Sequence, residues 1–543
     1  MDTASNGNND TLNFTGRVIT LRPELLLISL VMHFLGLALP LALLQIYDRI
    51  LPSQAYGTAT FLIIGVAIAI ILEAILRFGR QTLFANIGAK YEAHATMAVL
   101  DRLQHTDITE VEKRGVSSVA DGLRAIAQVR DFWSGQAGAA LYEVPFVIVY
   151  IGLIAYIGGW LAIIPLSLFL VAIIIASVMN PQIGHLSQAV ERTERRNHDF
   201  AWTLFAAIDY LKALGSENII GSLWRRNNSH LISLRTQLEV RMGWVRENAA
   251  TFGQLSTVLI VAFGAAGVVA GDLTTGALAA CTMLAGRSIG PAMSSLGYWA
   301  QLVRVKSAIE RVDDLLQLPE NQAFSSVTKQ AKQIDRGEIS IDAPTLFSNA
   351  VTIPAGTVVH LDTTETPLAS RILTAISGMS HDPEIQLQID GQQLSEYNRE
   401  SYRDSVMLVS KELALVPGSI LNNLTLYDPR YNAEVEQYCQ ALGLQSYIDN
   451  LPHGVLSEIG AGMAENLDEG IYQRIAIIRA LLRQPRVLLL DHAASGIDLD
   501  GQRKLAALLE TLQGKTTVII ATFNPILIAA CTQQLRLETK GEG

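Results

Sequence analysis

Apolar residues concentrate in six runs before residue 300, and charged residues are rare within those runs. Each run is close to the length of about 20 residues that an α-helix needs to cross a bilayer. The predicted spans are residues 24–46, 57–77, 137–157, 159–179, 252–271 and 275–299. The pattern therefore predicts six membrane-spanning helices.

The two long stretches between spans, residues 80–130 and 182–250, are polar but keep a regular pattern. Apolar residues recur at spacings of three and four in "YEAHATMAVLDRLQ" and "HDFAWTLFAAIDYLKALG". Such spacing is typical of amphipathic helices. We therefore expect the membrane helices to continue beyond the membrane as two hairpins, and the turn of each hairpin to press on a cytoplasmic domain.

The distribution of basic residues predicts the orientation of the chain in the membrane. Both long stretches are rich in Arg and Lys close to the spans, whereas the short turns on the other side hold only Arg49. Because basic residues stay on the cytoplasmic side, both termini are predicted to be cytoplasmic. Residues 1–22 lack the apolar core of a signal peptide and are predicted to form a flexible tail. The net charge of -10 argues against nucleic acid as a partner.

Three of the charged residues inside the predicted spans are candidates for function. Glu73 and Arg77 are four residues apart, so they can pair along one helix face. Arg287 lies in the last span, and His33 is alone in the first. Ionisable residues at membrane depth mark functional sites by default, so Glu73, Arg77 and Arg287 are candidates for a translocation path. The structural alternative is a paired or solvated wall of a cytoplasm-facing cavity.

After the last span the sequence no longer contains long apolar runs. Residues 318–335 are polar, and from residue 336 onward β-like runs such as "GTVVHL", "DSVMLVS", "RVLLLD" and "KTTVIIAT" alternate with helical patterns. Strands interleaved with helices predict a largely parallel sheet covered on both faces. The predicted domains are a tail at 1–22, a membrane domain at 23–317, a linker at 318–335 and an α/β domain at 336–543.

This order of elements resembles an ABC exporter half-transporter, in which six membrane helices precede an ABC-type nucleotide-binding domain of the P-loop NTPase kind. "VLLLD" resembles the Walker B strand, "SGID" with Asp498 resembles the D-loop, and "IPAGTVVHL" resembles the strand that enters Walker A. The segments "LALPLALLQIYDRILPSQAYGT" and "GDLTTGALAACTMLAGRSIGPAMSSLGYWAQL" are similar to membrane domains of bacterial type I secretion transporters. The resemblance implies export of an unfolded polypeptide from the bacterial inner membrane, with a membrane-fusion protein and an outer-membrane channel.

The Walker A position in this resemblance is the loop Asp362–Ser370, "DTTETPLAS". A working P-loop holds phosphates with backbone N–H groups, and its Lys reaches the β- and γ-phosphates. Here Leu368 stands at the Lys position, and Pro367 stands at a glycine and has no N–H to donate. Asp362 and Glu365 place negative charge where a polyphosphate would lie.

The helix after this loop is predicted to begin without nucleotide. Thr366 is predicted to cap a helix that starts at Pro367. Asp362 or Glu365 is predicted to complement the helix dipole in place of phosphate. The loop is therefore expected to be structural.

The other positions that the resemblance assigns to nucleotide chemistry also differ, except for the Walker B carboxylate Asp491, which is retained. The replacements are Lys411 for the Q-loop glutamine, Asp468 and Glu469 for the serine and first glycine of the signature, His492 for the general-base glutamate, and Phe523 for the switch histidine. His492 can act as a base in principle, but it has no phosphate cradle to serve and is expected to be structural or exposed.

The resemblance places Lys411 and Asp491 near a Mg²⁺ site. Our hypothesis is that the Lys411 ammonium replaces the metal and neutralises Asp491, Asp362 or Glu365. The alternative is a solvated lysine.

Together these changes imply a catalytically degenerate half-transporter that binds no cofactor itself. An ABC site is shared between Walker A of one chain and the signature of the other, so a homodimer would have no complete site. A heterodimer with an ATP-binding half-transporter, which would hold ATP and Mg²⁺, is therefore expected in the lipid membrane. How the partner's site works against the changed signature stays open. Two alternatives remain: a non-transporting scaffold or regulator of an active ABC transporter, and an exporter with unconventional nucleotide binding.

Overall fold

The computed structural model describes residues 23–324, 333–344, 347, 350–362, 366–411, 415–459 and 467–536. The chain separates into two compact units. The first runs to Gln104 and then from Val111 to Leu318, and the second contains His105–Glu110 and the residues from Pro319 onward. The division after Leu318 lies at the start of the predicted linker.

Helices form the first unit almost entirely. Their bounds are α1 Pro23–Gly36, α2 Ala38–Gln45, α3 Tyr56–His105, α4 Ile108–Arg114, α5 Val116–Ser134, α6 Gln136–Gly158, α7 Ile163–Ala206, α8 Ile208–Ala213, α9 Glu217–Ala270 and α10 Thr275–Leu316. A π-helical turn at Ile46–Ile50 follows α2, and a 3-10 turn at Gly159–Ala162 joins α6 to α7.

Helices occupy all six predicted spans. Within the described residues, four stretches are long and apolar enough to cross a membrane: Pro23–Ser53, Tyr56–His105, Tyr142–Phe205 and Thr251–Ala270. The third contains most of the predicted span 137–157 and all of the span 159–179, with the turn at Gly159–Ala162 between α6 and α7. The sixth predicted span lies in α10 but is not among the four. The chain is therefore a membrane protein.

The three longest described helices are far longer than a bilayer requires. The helices α3, α7 and α9 contain 50, 44 and 54 residues. At about 1.5 Å per residue each is longer than about 60 Å, against a hydrocarbon core of about 30 Å. They therefore continue well beyond the membrane, as the spacing of apolar residues in the two long polar stretches predicted.

The turn between α3 and α4 belongs to the second unit. Asp107 accepts a hydrogen bond from the His381 N–H at 2.7 Å. The Ile108 N–H donates to the Met379 carbonyl at 3.1 Å. The turn of the first hairpin is thus hydrogen-bonded within the second unit. Its cytoplasmic location stays a prediction.

Asn321 fastens this turn to the second unit. Its side chain is buried, and its Nδ2 donates to the carbonyls of Gly378 and Met379 at 2.9 and 3.0 Å. Its Oδ1 accepts from the Ala323 N–H at 2.8 Å. The Asn321 N–H donates to the His105 carbonyl at 2.9 Å. One side chain therefore pairs three backbone groups that water does not reach.

Replacing Asn321 with alanine is expected to lower the free energy of unfolding by about 2–3 kcal/mol, because buried backbone groups lose their partner. Thermal unfolding of the full chain in detergent, with hydrogen exchange around Met379, measures the change. Gln322→Ala is the control, because the neighbouring Gln322 is exposed. Equal stability of the two variants would contradict this role for Asn321.

Strands and shorter helices form the second unit. The strands are β1 Ile339–Asp342, β2 Val351–Ile353, β3 Val358–Asp362, β4 Gln386–Ile389, β5 Gln392–Gln393, β6 Val406–Ser410, β7 Gly418–Ser419, β8 Glu458–Ile459, β9 Val487–Asp491, β10 Thr517–Ala521 and β11 Gln533–Arg536. The helices are α11 Thr366–Ile376, α12 Arg399–Ser405, α13 Ile420–Thr425, α14 Val435–Ala441, α15 Gln445–Asp449, α16 Glu469–Leu481, α17 Leu499–Leu512 and α18 Pro525–Ala529.

A parallel sheet in the order β11-β3-β10-β9-β6 lies at the centre of this unit. Consecutive strand residues alternate between two hydrophobic clusters. Leu488 and Ile520 belong to the cluster with α16 and α17, and Leu489 and Ile519 belong to the cluster with α11. Both faces of the sheet are thus covered, which explains why its strands are continuous apolar runs.

The predicted fold class, a helical membrane domain followed by an α/β domain, is confirmed. The structure also contains a separate antiparallel sheet of order β2-β1-β4-β5, which the prediction did not include.

Candidate functional site

The parallel sheet brings distant parts of the sequence to one edge. Asp362 ends β3, Asp491 ends β9, and Lys411 directly follows β6. Phe523 lies two residues beyond β10. The carboxyl ends of parallel strands share one edge, and ligands of open α/β sheets bind there. The predicted site positions from this domain's strands therefore lie along the one edge of the sheet where a ligand would bind.

The helix after the predicted phosphate loop packs on the core. α11 is Thr366–Ile376, which agrees within one residue with the predicted start. The side chain of Thr366 lies outside what the structure describes, and its capping role stays a prediction. Leu368, at the lysine position, is half-buried and packs against the hydrophobic cluster of α11. Pro367 is exposed. Glu365 lies outside the described residues, and its role stays a prediction.

Ala369 follows Leu368 and is fully buried. In a P-loop the residue after the lysine supplies a hydroxyl to Mg²⁺, and alanine has no hydroxyl. Ser370, the next residue, is half-buried. The sequence reasoning missed Ala369, although its place directly after Leu368 was sufficient to find it.

Asp491 and His492 differ in how their polar atoms are placed. Asp491 is buried, and within the described chain its Oδ1 has no hydrogen-bond partner. His492 has a φ of 50°, in the left-handed region that non-glycine residues rarely adopt, and its N–H donates to the Ala521 carbonyl at 3.0 Å. The His492 ring lies against Phe523 with centroids 5.2 Å apart. Two rings in contact thus occupy the general-base and switch-histidine positions.

Lys411 is exposed, and within the described residues it forms no ion pair with Asp362 or Asp491. The predicted neutralisation is therefore wrong for these two carboxylates. A long exposed side chain gains little from an ion pair in water, which favours the solvated alternative. For Glu365 the hypothesis stays a prediction.

The changed signature forms side-chain hydrogen bonds within its own chain. Asp468 and Glu469 are exposed at the start of α16. The buried Gln473 donates from Nε2 to Glu469 Oε1 at 3.2 Å and to Ser495 Oγ at 3.1 Å. Gln473 Oε1 accepts from the Gly496 N–H at 2.9 Å. Sequence reasoning missed Gln473, which links the signature position to the predicted D-loop.

Asp498 has a structural role in the same region. Its carboxylate accepts from the Gly501 N–H at 3.1 Å and so caps α17. It also pairs with Arg474. Asp498 therefore joins α16 to α17 within one chain.

These residues do not fit Mg²⁺-ATP in the manner of a P-loop. At the P-loop positions described, Leu368 replaces the lysine that contacts the β- and γ-phosphates, and Ala369 replaces the hydroxyl that binds Mg²⁺. The unpartnered Oδ1 of Asp491 would suit a metal. One carboxylate oxygen is a small part of the octahedral ligand set that Mg²⁺ takes.

The structure brings the three intramembrane candidates together. Arg77 Nη2 lies 2.6 Å from Glu73 Oε1, which confirms their predicted pairing along one helix. Arg287 Nη1 lies 3.7 Å from Glu73 Oε2. Glu73 is buried, whereas 66% of the Arg77 side chain is exposed. Their place on a translocation path stays a prediction.

A neighbouring buried pair was missed. Arg80 Nη2 donates to Glu143 Oε1 at 2.8 Å, and Arg80 Nη1 donates to Ser29 Oγ at 3.2 Å. Arg80 directly follows a predicted span, and Glu143 lies inside another. Their positions were readable from the sequence, but their pairing depends on how α1, α3 and α6 pack.

Two family models match the chain. The ABC transporter transmembrane region matches residues 24–291, and the ABC transporter model matches residues 369–495. The second match begins directly after Leu368 and includes Asp491 and His492.

Curated relatives and a solved structure agree with these matches. The leukotoxin translocation ATP-binding protein LktB from Pasteurella haemolytica-like sp. (strain 5943B) and from Mannheimia glucosida are each 25% identical over 517 residues. LktB from Mannheimia haemolytica is 25% identical over 520 residues. Each alignment covers 92% of this chain and 72% of the relative.

The structure of a bacterial Atm1-family ABC exporter with ATP bound superposes with a TM-score of 0.79 at 18% identity, covering 95% of this chain and 93% of that chain. At this identity the likeness shows the fold. The chain therefore belongs to the ABC transporter family and has the fold of an exporter half-transporter, in which a membrane domain precedes a nucleotide-binding domain.

Proposed function

We propose that this half-transporter does not bind ATP itself and that it works as a heterodimer with an ATP-binding partner half-transporter. The observation that carries the proposal is the packing of Leu368 against the core, with the buried Ala369 next to it. An apolar side chain that packs against the core offers no donor to a phosphate. The Asp362 carboxylate at the same edge opposes a polyphosphate by charge repulsion.

The second cytoplasmic hairpin supports the dimer. Near its turn the side chains of Trp202, Phe205, Tyr210 and Leu214 are 56, 70, 77 and 78% exposed. These residues lie at the end of α7 and in and just beyond α8, after the charged stretch 191–199, and thus outside the predicted spans. Apolar patches exposed to water mark interaction surfaces. A second half-transporter would cover this patch.

The proposed cargo and cellular location rest on similarity to the relatives and on the sequence pattern. The names of the relatives describe leukotoxin translocation, and the membrane segments resemble type I secretion transporters. Both support a secreted polypeptide as the cargo, with a membrane-fusion protein and an outer-membrane channel as further components. The distribution of basic residues supports a place in the bacterial inner membrane with both termini cytoplasmic.

The exposed acids of the signature favour a second candidate function. Asp468 and Glu469 would face the γ-phosphate in the partner's site and oppose it by charge. A subunit that slows the partner's ATP turnover would act as a membrane scaffold or regulator of an active transporter. This candidate keeps the heterodimer but gives the chain no direct part in transport.

Co-purification tests the proposal. The chain is expressed with an intact half-transporter, for example one encoded next to it, and is recovered through an affinity tag on this chain alone. We expect complexes with one copy of each. Recovery of homodimers only would contradict the proposal. Deleting the chain separates the two roles, because a transport subunit is needed for export, whereas loss of a regulator leaves export in place and changes ATP turnover.

A further inference from the structure

A polar cluster lies inside the membrane unit, within the predicted spans. α1 contributes His33, α3 contributes Glu73, α6 contributes Tyr150 and α10 contributes Arg287. The Tyr150 hydroxyl lies 2.9 Å from His33 Nδ1, and the His33 ring stacks on Phe146 with centroids 4.2 Å apart. The cluster is therefore held in place by four different helices.

A glycine lets the Arg287 guanidinium approach α1. A Cβ atom at Gly36 would lie 2.3 Å from Arg287 Nη1 and 3.6 Å from the Tyr150 hydroxyl oxygen. Any larger residue at position 36 would displace the guanidinium. Because His33 is three residues before Gly36, the two share one helix face, and Arg287, Tyr150 and His33 converge on that face.

The cluster has more hydrogen-bond donors than acceptors. When the Tyr150 hydroxyl donates to His33 Nδ1, the ring proton lies on Nε2, and Nε2 is buried without a partner in the described chain. Glu73 is already bound by Arg77 at 2.6 Å, and its 3.7 Å separation from Arg287 is too long for a hydrogen bond. Arg287 carries five N–H donors, of which one donates to the Tyr150 hydroxyl oxygen, and 35% of its side chain is exposed.

The cluster also has more positive than negative charges. Arg77 and Arg287 share the single carboxylate of Glu73. The adjacent pair Arg80 and Glu143 is balanced. The group as a whole therefore carries net positive charge at membrane depth, where such charge is unfavourable without a counter-ion.

We propose that Arg287, assisted by His33, binds a side-chain carboxylate of the exported polypeptide, so that acidic segments are preferred cargo. The inference rests on the proposed export function. A carboxylate accepts two parallel hydrogen bonds from a guanidinium and supplies the acceptor that the cluster lacks. The planar fork of arginine suits this geometry, and lysine does not reproduce it.

Peptide binding to the full chain in phosphatidylcholine nanodiscs tests the site. The probes are two fluorescent glycine-rich peptides that are identical except that one carries Glu where the other carries Gln. We expect the wild-type chain to bind the Glu peptide about tenfold more tightly. Arg287→Gln is expected to abolish this preference. Arg226→Gln is the matched control and is expected to keep it, because Arg226 is exposed on α9, outside the predicted spans and the cluster.

If Arg287→Gln does not fold, Arg287→Lys is the second test variant, because it keeps the positive charge and loses the planar guanidinium. It is expected to reduce the preference for the Glu peptide severalfold. An unchanged preference in Arg287→Gln, in Arg287→Lys, or in both would overturn the proposal. Equal binding of the two peptides by the wild-type chain would overturn it too. A lipid result would overturn it as well. If phosphatidylglycerol co-purifies with the wild-type chain but not with Arg287→Gln, and if it abolishes the peptide preference, the acceptor is a lipid headgroup. The assay needs no partner and no ATP, so its failure is separate from a failure to recover heterodimers.

Discussion

Labelled ATP is expected to bind the purified chain with a dissociation constant weaker than about 1 mM, which corresponds to less than about 4 kcal/mol of binding free energy. Leu368 packs against the core and Ala369 lies within it, at the positions where a P-loop presents its lysine and its hydroxyl. Asp362 adds a carboxylate to the same edge of the sheet. Neither the phosphates nor Mg²⁺ would regain in this site the interactions that they make with water.

Equilibrium dialysis of the full chain in detergent with Mg²⁺ and labelled ATP makes this measurement, and an intact half-transporter is the positive control. Leu368→Lys alone is not expected to restore binding. It is expected to destabilise the chain by about 1–3 kcal/mol, because it places an ammonium against the hydrophobic cluster of α11. Lys411→Leu, at an exposed position of the same edge, is the matched control for stability. Micromolar ATP binding by the wild-type chain would contradict the proposed function and favour unconventional nucleotide binding.

The double variant Phe205→Asp and Leu214→Asp is expected to leave the chain folded and to abolish the heterodimer. Both side chains are more than two-thirds exposed within the single chain, so their replacement removes few internal contacts. In a complex they would be buried, and each unpaired carboxylate in an apolar contact would cost about 2–4 kcal/mol. Such a loss lowers the fraction of heterodimer by orders of magnitude at equal protein concentration.

Co-purification with the partner half-transporter and size-exclusion chromatography measure the effect. Lys212→Asp is the control, because it changes charge on the exposed part of α8 without removing apolar surface. If the double variant recovers as much partner as the wild-type chain, the apolar patch at the second hairpin is not part of the dimer contact.

The helical and parallel parts of the fold were predictable because their patterns are local. Continuous apolar runs bounded by basic residues indicate membrane helices, and buried runs such as Val487–Asp491 indicate central strands. The antiparallel sheet was less accessible. Its strands β2 and β5 contain three and two residues, and pairs this short are chosen by contacts between distant segments. The edge strand β11, Gln533–Arg536, is mostly polar and carries no apolar run.

At the candidate site, too, residue identities could be predicted from the sequence, whereas side-chain placement could not. Identities such as Leu368, Lys411 and His492 were readable at their motif positions, because motif spacing is a property of the chain. Whether a replacement side chain enters the core or the solvent was not readable. Leu368 packs on the cluster of α11, whereas Lys411 stays exposed and away from the carboxylates that it was predicted to neutralise.

By itself the sequence determined the helical membrane domain, the α/β domain and the residue identities at the motif positions. These follow from hydrophobic periodicity and from the identity of single residues. The tertiary structure alone decided which groups meet: Arg287 over Gly36, Arg80 with Glu143, and Gln473 with the D-loop backbone. Side chains far apart in the sequence interact only when packing brings their helices within a few ångströms, and that separation is set by the whole core.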